Sequence, residues 1–195
     1  MFVKVCGLRT AEDVDTAVSA GADAIGFVFA ASPRQVGVEQ ARELAARVPE
    51  HVLTVGVFLG VPAEQAGQTT LDAGLGAVQL HGDYPREAFD AVADLPLKVI
   101  RAVSATPSRD LGFWGADMLL LDSAVAGSGE RWDLSTVDGL GGRWLLAGGL
   151  DPDNVAAAIT VARPWGVDVS SGVESSRGVK DPALIRSFLA AVRAA

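Results

Sequence analysis

Residues 2–29 read FVKVCGLRTAEDVDTAVSAGADAIGFVF. The stretch opens on a short β-branched run, 2–6 (FVKVC), turns at Gly7, and continues into a helical pattern over 11–20 (AEDVDTAVSA) with Thr10 as its start residue. A second β-branched run, 23–29 (DAIGFVF), follows. Strand, helix and strand in this order make a crossover unit, which joins parallel neighbours in one sheet.

The same rhythm recurs to the end of the chain. It predicts further strands near 53–58, 76–80, 97–102, 117–121, 143–147 and 166–170, giving eight with the two above. Helical patterns occupy 38–48, 62–73, 85–94, 152–161 and 181–194, with Pro62 and Asp181 as further start residues. The fifth and sixth connections are weaker, because SRDLGFWG (108–115) and DLSTVDGL (133–140) carry internal glycines. Eight parallel strands with right-handed crossovers are satisfied most simply by a closed (β/α)₈ TIM barrel, here a compact single domain over 1–195. An open doubly wound sheet is the competing fold, but the first turn, CGLRTAED, lacks the spaced glycines of a dinucleotide site.

The 195 residues are 49% hydrophobic and carry a formal charge of −8, enough for one sizeable core and unsuited to a broad polyanion-binding face. Nucleic acid is therefore not an expected partner. Apolar runs stop far short of the roughly 20 residues that span a bilayer. The opening Met1-Phe2-Val3-Lys4 has none of the features of a signal peptide, and one cysteine makes no internal disulfide, so a cytoplasmic protein is expected. No metal-ligand spacing, Walker loop or dinucleotide motif appears, which predicts chemistry without metal or cofactor.

In a barrel of this kind the chemistry sits at the carboxyl ends of the strands. Cys6 ends the first strand, and alternation places Phe2, Lys4 and Cys6 on one face, taken as the interior. A lysine inside a barrel needs a partner, and closure brings Asp168 of the eighth strand beside it. Asp122 ends the sixth strand and reads either as a loop or cap residue or as a general acid. The glycine- and serine-rich turns LAGGLDPDNV (146–155) and VDVSSGVESSRG (167–178) follow the seventh and eighth strands, where barrels bind phosphate; Gly148, Gly149, Ser170, Ser171 and Gly172 are the candidates. Arg34, in ASPRQVG (31–37), offers a fork for a carboxylate or remains a solvated loop residue. Gln79 and His81 close the fourth strand, whereas His51 falls at the opposite face and is read as structural or solvated.

The ordered set KVCGLR (4–9), GFVFAASPRQV (26–36), VGVF (55–58), VQLHG (78–82), LLLDS (119–123), AGSGERWD (126–133), LAGGLDPDNV and GVDVSSGVESSRGVKD (166–181) closely resembles the phosphoribosylanthranilate isomerases of tryptophan biosynthesis. The resemblance implies a general base at Cys6 and a general acid at Asp122. It also implies a contact with the anthranilate side of the substrate at Arg34, with the phosphate at the two glycine-bearing turns; His81, which could carry a proton, and Asp168 are further candidate substrate-binding residues. The reaction so implied is a cofactor-free Amadori rearrangement of a small phosphorylated substrate by a monomer or homodimer. Lys4 is the candidate for lowering the pKa of the thiol. The sequence departs from the family pattern at Ala126 and at Trp132-Asp133-Leu134, after the sixth strand. Two other readings stay open: an isomerase that also takes the related histidine-pathway aminoaldose phosphate, and a degenerate barrel that binds a phosphorylated ligand without turning it over.

Overall fold

The computed structural model describes residues 1–104, 110–122, 137 and 140–195. Eight strands close into a barrel in chain order: β1 (Phe2–Cys6), β2 (Ala24–Val28), β3 (Leu53–Phe58), β4 (Ala77–His81), β5 (Lys98–Ser104), β6 (Met118–Asp122), β7 (Trp144–Leu146) and β8 (Gly166–Val169). Every neighbouring pair is parallel, and β1 pairs with β8 to close the ring, setting Lys4 opposite Asp168. The expected strands are all present, with ends shifted by one or two residues. Ser170 lies just beyond β8 rather than within it.

Helices α1 (Ala11–Ala20), α2 (Val38–Ala45), α3 (Ala63–Asp72), α4 (Glu87–Ala93), α5 (Val155–Ala162) and α6 (Pro182–Ala194) follow β1, β2, β3, β4, β7 and β8. Their starts have local causes. The Thr10 side chain accepts from the Asp13 amide, and the Asp181 side chain accepts from those of Ala183 and Leu184, each meeting orphan donors of a first turn. None of the described helices is long and apolar enough to cross a membrane.

The weak fifth connection has a physical substitute for a helix. Arg101 points outward from β5 and is 1% exposed, with Nη1 and Nη2 donating to the carbonyls of Gly112 and Asp110 at 2.6 and 2.9 Å. The Trp114 ring lies 3.6 Å from the guanidinium carbon. An irregular segment is thus tied over this strand by a cation, where a helix would use an apolar stripe. Most of the sixth connection lies outside the described residues.

Alternation along the strands separates two cores. Cys6, Ala24, Val55, Val57, Ala77, Ile100, Ala102, Met118, Leu120, Leu145 and Ala147 fill the barrel. The opposite faces, with residues such as Val5, Ile25, Phe27, Leu119 and Val167, pack under the helices. Burying one side of each strand inside the ring and the other beneath a helix leaves the strand ends as the place for polar chemistry.

One feature after β8 was not expected from the sequence. A 3₁₀ turn, Ser171–Val173, leads into a two-stranded hairpin, β9 (Glu174–Ser176) and β10 (Val179–Lys180), before α6.

Candidate active site

Lys4 is fully buried inside the barrel, and its Nζ donates to Asp168 Oδ1 at 2.8 Å. The pairing expected from strand register is therefore present. The charge of the same ammonium also acts on the Cys6 thiol, two residues farther along β1. Gly26 on β2 stands opposite Cys6, and a Cβ there would lie 2.8 Å from Sγ, so the glycine makes room for the thiol.

Lys4 acts on the Cys6 thiol in the expected direction, but the net shift there is upward rather than downward. Burial pushes the thiol up, and neighbouring Asp168 pushes it further, while Lys4 and Lys180 pull it down; the balance lies above the ordinary value. A thiolate withdrawn from water loses more solvation than the two ammonium groups restore. Lys4 itself is held charged: burial works against its charge, but Asp168 and Cys6 outweigh it and raise its pKa.

Asp122 ends β6 and His81 ends β4, on the same rim, with His81 Nε2 3.7 Å from Asp122 Oδ2. Both side chains are partly exposed. Below His81, Gln79 is buried in the barrel, and its Oε1 has no hydrogen-bond partner among the described residues. His51 lies exposed, ahead of β3, as expected. The departures at Ala126 and at Trp132-Asp133-Leu134 lie outside the described residues.

The turns after β7 and β8 are built against each other. A Cβ on Gly172 would fall 1.8 Å from the Leu150 carbonyl oxygen, so only glycine permits this contact between them. Gly148 and Gly149 both have left-handed backbone, and the space a Gly149 side chain would occupy is open. Asn154 braces that turn, donating from Nδ2 to the Gly149 carbonyl at 2.8 Å and accepting from the Asp151 amide at 3.0 Å. The Ser170 hydroxyl donates to the Cys6 carbonyl at 3.2 Å, tying the second turn to the end of β1; Ser171 is exposed.

Arg34 is not the solvated loop residue the sequence left open. Its Nε and Nη2 donate to the two carboxylate oxygens of Glu174 at 2.6 and 2.9 Å. Glu174 and Lys180 were missed because neither ends a strand of the barrel. The clue available in SSGVESSRGVKD was a pair of opposite charges flanking a glycine turn, and it acquires meaning only when the hairpin folds back on the rim. Together these groups put a thiol, a carboxylate–imidazole pair, a guanidinium and two braced glycine turns on one barrel end. That is equipment for moving protons on a small anionic molecule.

Residues 3–191 match the family model described as N-(5'phosphoribosyl)anthranilate (PRA) isomerase. A curated relative of that name from Streptococcus pneumoniae (strain Taiwan19F-14) is 46% identical over 193 residues, 98% of this chain and 95% of the relative. Among solved structures, TrpF from Jonesia denitrificans is 46% identical with a TM-score of 0.91, covering 99% of this chain and 97% of that one. Phosphoribosyl anthranilate isomerase from Thermotoga maritima is 37% identical with a TM-score of 0.92, over all of both chains. Barrel, rim chemistry and sequence agree over nearly the whole length, and the chain belongs to the N-(5'-phosphoribosyl)anthranilate isomerase family.

Proposed function

We propose that this protein isomerises N-(5-phosphoribosyl)anthranilate to 1-(2-carboxyphenylamino)-1-deoxyribulose 5-phosphate, a step of tryptophan biosynthesis, with Cys6 as general base and Asp122 as general acid. The reading rests on one observation: a buried thiol at the end of β1 and a carboxylate at the end of β6 share a barrel mouth with the braced glycine turns after β7 and β8. A related solved structure of 36% identity holds reduced 1-(o-carboxyphenylamino)-1-deoxyribulose 5-phosphate, a small phosphorylated ligand of the same kind.

Asp122 gives its proton to the furanose ring oxygen, and the ring C–O bond breaks to leave a protonated Schiff base. Cys6, as thiolate, removes the proton from carbon 2, and the C–H electron pair moves toward the iminium nitrogen to form the enolamine. Tautomerisation gives the ketone. His81, beside Asp122, helps to place the sugar end. Asp168 keeps Lys4 charged and in place next to the thiol. The phosphate rests in the Gly148–Gly149 and Ser170–Gly172 turns, and the Nη1 group of Arg34 meets the anthranilate carboxylate. With a raised thiol pKa the thiolate is a minor form at neutral pH.

The test is the decay of phosphoribosylanthranilate fluorescence on adding the purified protein. Rapid decay is expected with the native chain, and a loss of about 10²-fold or more in both Cys6→Ala and Asp122→Asn with unchanged far-UV circular dichroism. Near-native decay in either variant refutes its assigned role.

A further inference from the structure

Glu174 belongs to the β9–β10 hairpin, outside the barrel, yet its side chain is only 4% exposed. It meets two cations at once. Arg34 grips both of its oxygens through Nε and Nη2, Lys180 Nζ donates to Oε1 at 2.9 Å, and the Gly178 amide donates to Oε2 at 3.0 Å. Burial pushes the Glu174 carboxyl up, but the bonds from Arg34, Gly178 and Lys180 win and draw it down to about 2. The same Lys180 ammonium donates to the Ser170 carbonyl at 2.8 Å and approaches its hydroxyl at 3.4 Å. Ser170 in turn bonds the Cys6 backbone.

This places one carboxylate between the two ends of the site. On one side it uses one edge of the Arg34 fork and leaves Nη1 for another acceptor. On the other it anchors the lysine that holds the peptide of the 170–172 turn. Arg34 also crosses directly over the β1 turn, since a Cβ on Gly7, a residue in the left-handed region, would lie 2.7 Å from Arg34 Cδ. A buried charge cluster contributes little to stability over an apolar replacement, which directs attention to position as its benefit.

We propose that Glu174 is a positioning residue for substrate, orienting Arg34 toward the anthranilate carboxylate and, through Lys180 and Ser170, holding the turn that receives the phosphate. The proposal rests on the reading of Arg34 and residues 170–172 given above. It extends that reading by making the two subsites depend on one side chain. The charged groups around Cys6 are Lys4 from its own strand, Asp168 from β8, Lys180 from β10 and Arg34 from the turn after β2. Glu174 neutralises part of the last two, so its removal also alters the field at the thiol.

The experiment is a double-mutant cycle of Arg34→Ala, Glu174→Gln and the pair, read as kcat and KM for phosphoribosylanthranilate. Glu174→Gln is expected to lower kcat/KM by about 10²-fold, chiefly through KM, and by much less when Arg34 is already alanine. Additive losses overturn the proposal. A second readout needs no substrate: the pH dependence of Cys6 alkylation. Glu174→Gln, which leaves Lys180 and Arg34 uncompensated, is expected to shift it to lower pH. Lys180→Gln is expected to shift it to higher pH and to weaken inhibition by inorganic phosphate several-fold; it carries the test should Glu174→Gln not fold. Unmoved alkylation profiles and unchanged phosphate inhibition in these variants overturn the proposal. Absence of any isomerisation by the native protein refutes the underlying reading instead, and leaves the alkylation result interpretable.

Discussion

At the scale of single residues, the barrel interior sets the chemistry of Cys6 by competition between solvation and charge. Losing water raises the thiol pKa, Lys4 and Lys180 lower it, and Asp168 raises it again. The alkylation rate of Cys6 in the ligand-free protein is therefore expected to reach half its maximum above the ordinary thiol value of about 8.5. Lys4→Met removes a cation that favours the thiolate and leaves Asp168 without its partner. It is expected to move the midpoint higher still and to depress turnover near neutrality. An unmoved midpoint would reduce Lys4 to a structural ion pair. Cys6 and its place at the end of a strand were legible in the sequence, as was the Lys4–Asp168 pair, because strand alternation and barrel closure dictate both. The sign of the thiol shift was not, since it depends on how completely water is excluded and on a lysine 174 residues away along the chain.

At the scale of elements, strands contribute by where they place or withhold side chains. β2 withholds one at Gly26, and the Cys6 thiol uses the space. Gly26→Ala is expected to fold, because neighbouring strands keep their backbone pairing, but to displace Sγ and reduce kcat by about 10- to 100-fold, measured by the same fluorescence decay. Native kcat in that variant would mean the thiol need not stay in place. β5 illustrates a different solution: its outward Arg101 binds two carbonyls and the face of Trp114. Trp114→Ala is expected to cost about 2 kcal/mol in urea unfolding, the scale of a desolvated cation–π contact. The internal glycines around Trp114 correctly signalled a poor helix. They did not disclose the clamp, because an arginine in a β-branched run gives no local sign of which backbone carbonyls it will reach.

At the scale of the whole molecule, closing the ring converts sequence distance into contact. Lys4 and Asp168 are 164 positions apart, and Arg34 and Glu174 are 140 apart. Such pairs make the folded protein sensitive to acid. Glu174 has a folded-state pKa of about 2, below its ordinary carboxylate value, so its ion pairs stabilise the fold fully above that ordinary value. The contribution is lost as pH falls from there through about 2. Urea midpoints measured across this window are expected to fall less steeply in Glu174→Gln than in the native chain; parallel curves would show that the pairs are equally formed after unfolding. The sequence by itself determined the barrel, its strand order, the inward face of β1 and the strand ends carrying Cys6, Asp122, His81 and the glycine turns. Period-2 alternation, helix-start residues and the handedness of crossovers are local or topological rules that need no coordinates. Only the tertiary structure decided that Arg34 is engaged by Glu174, that Lys180 reaches Ser170, and that burial outweighs the lysines at Cys6. Those outcomes depend on the distance between loops that share no hydrogen-bonding register and on how much water the closed ring excludes, neither of which any local pattern encodes.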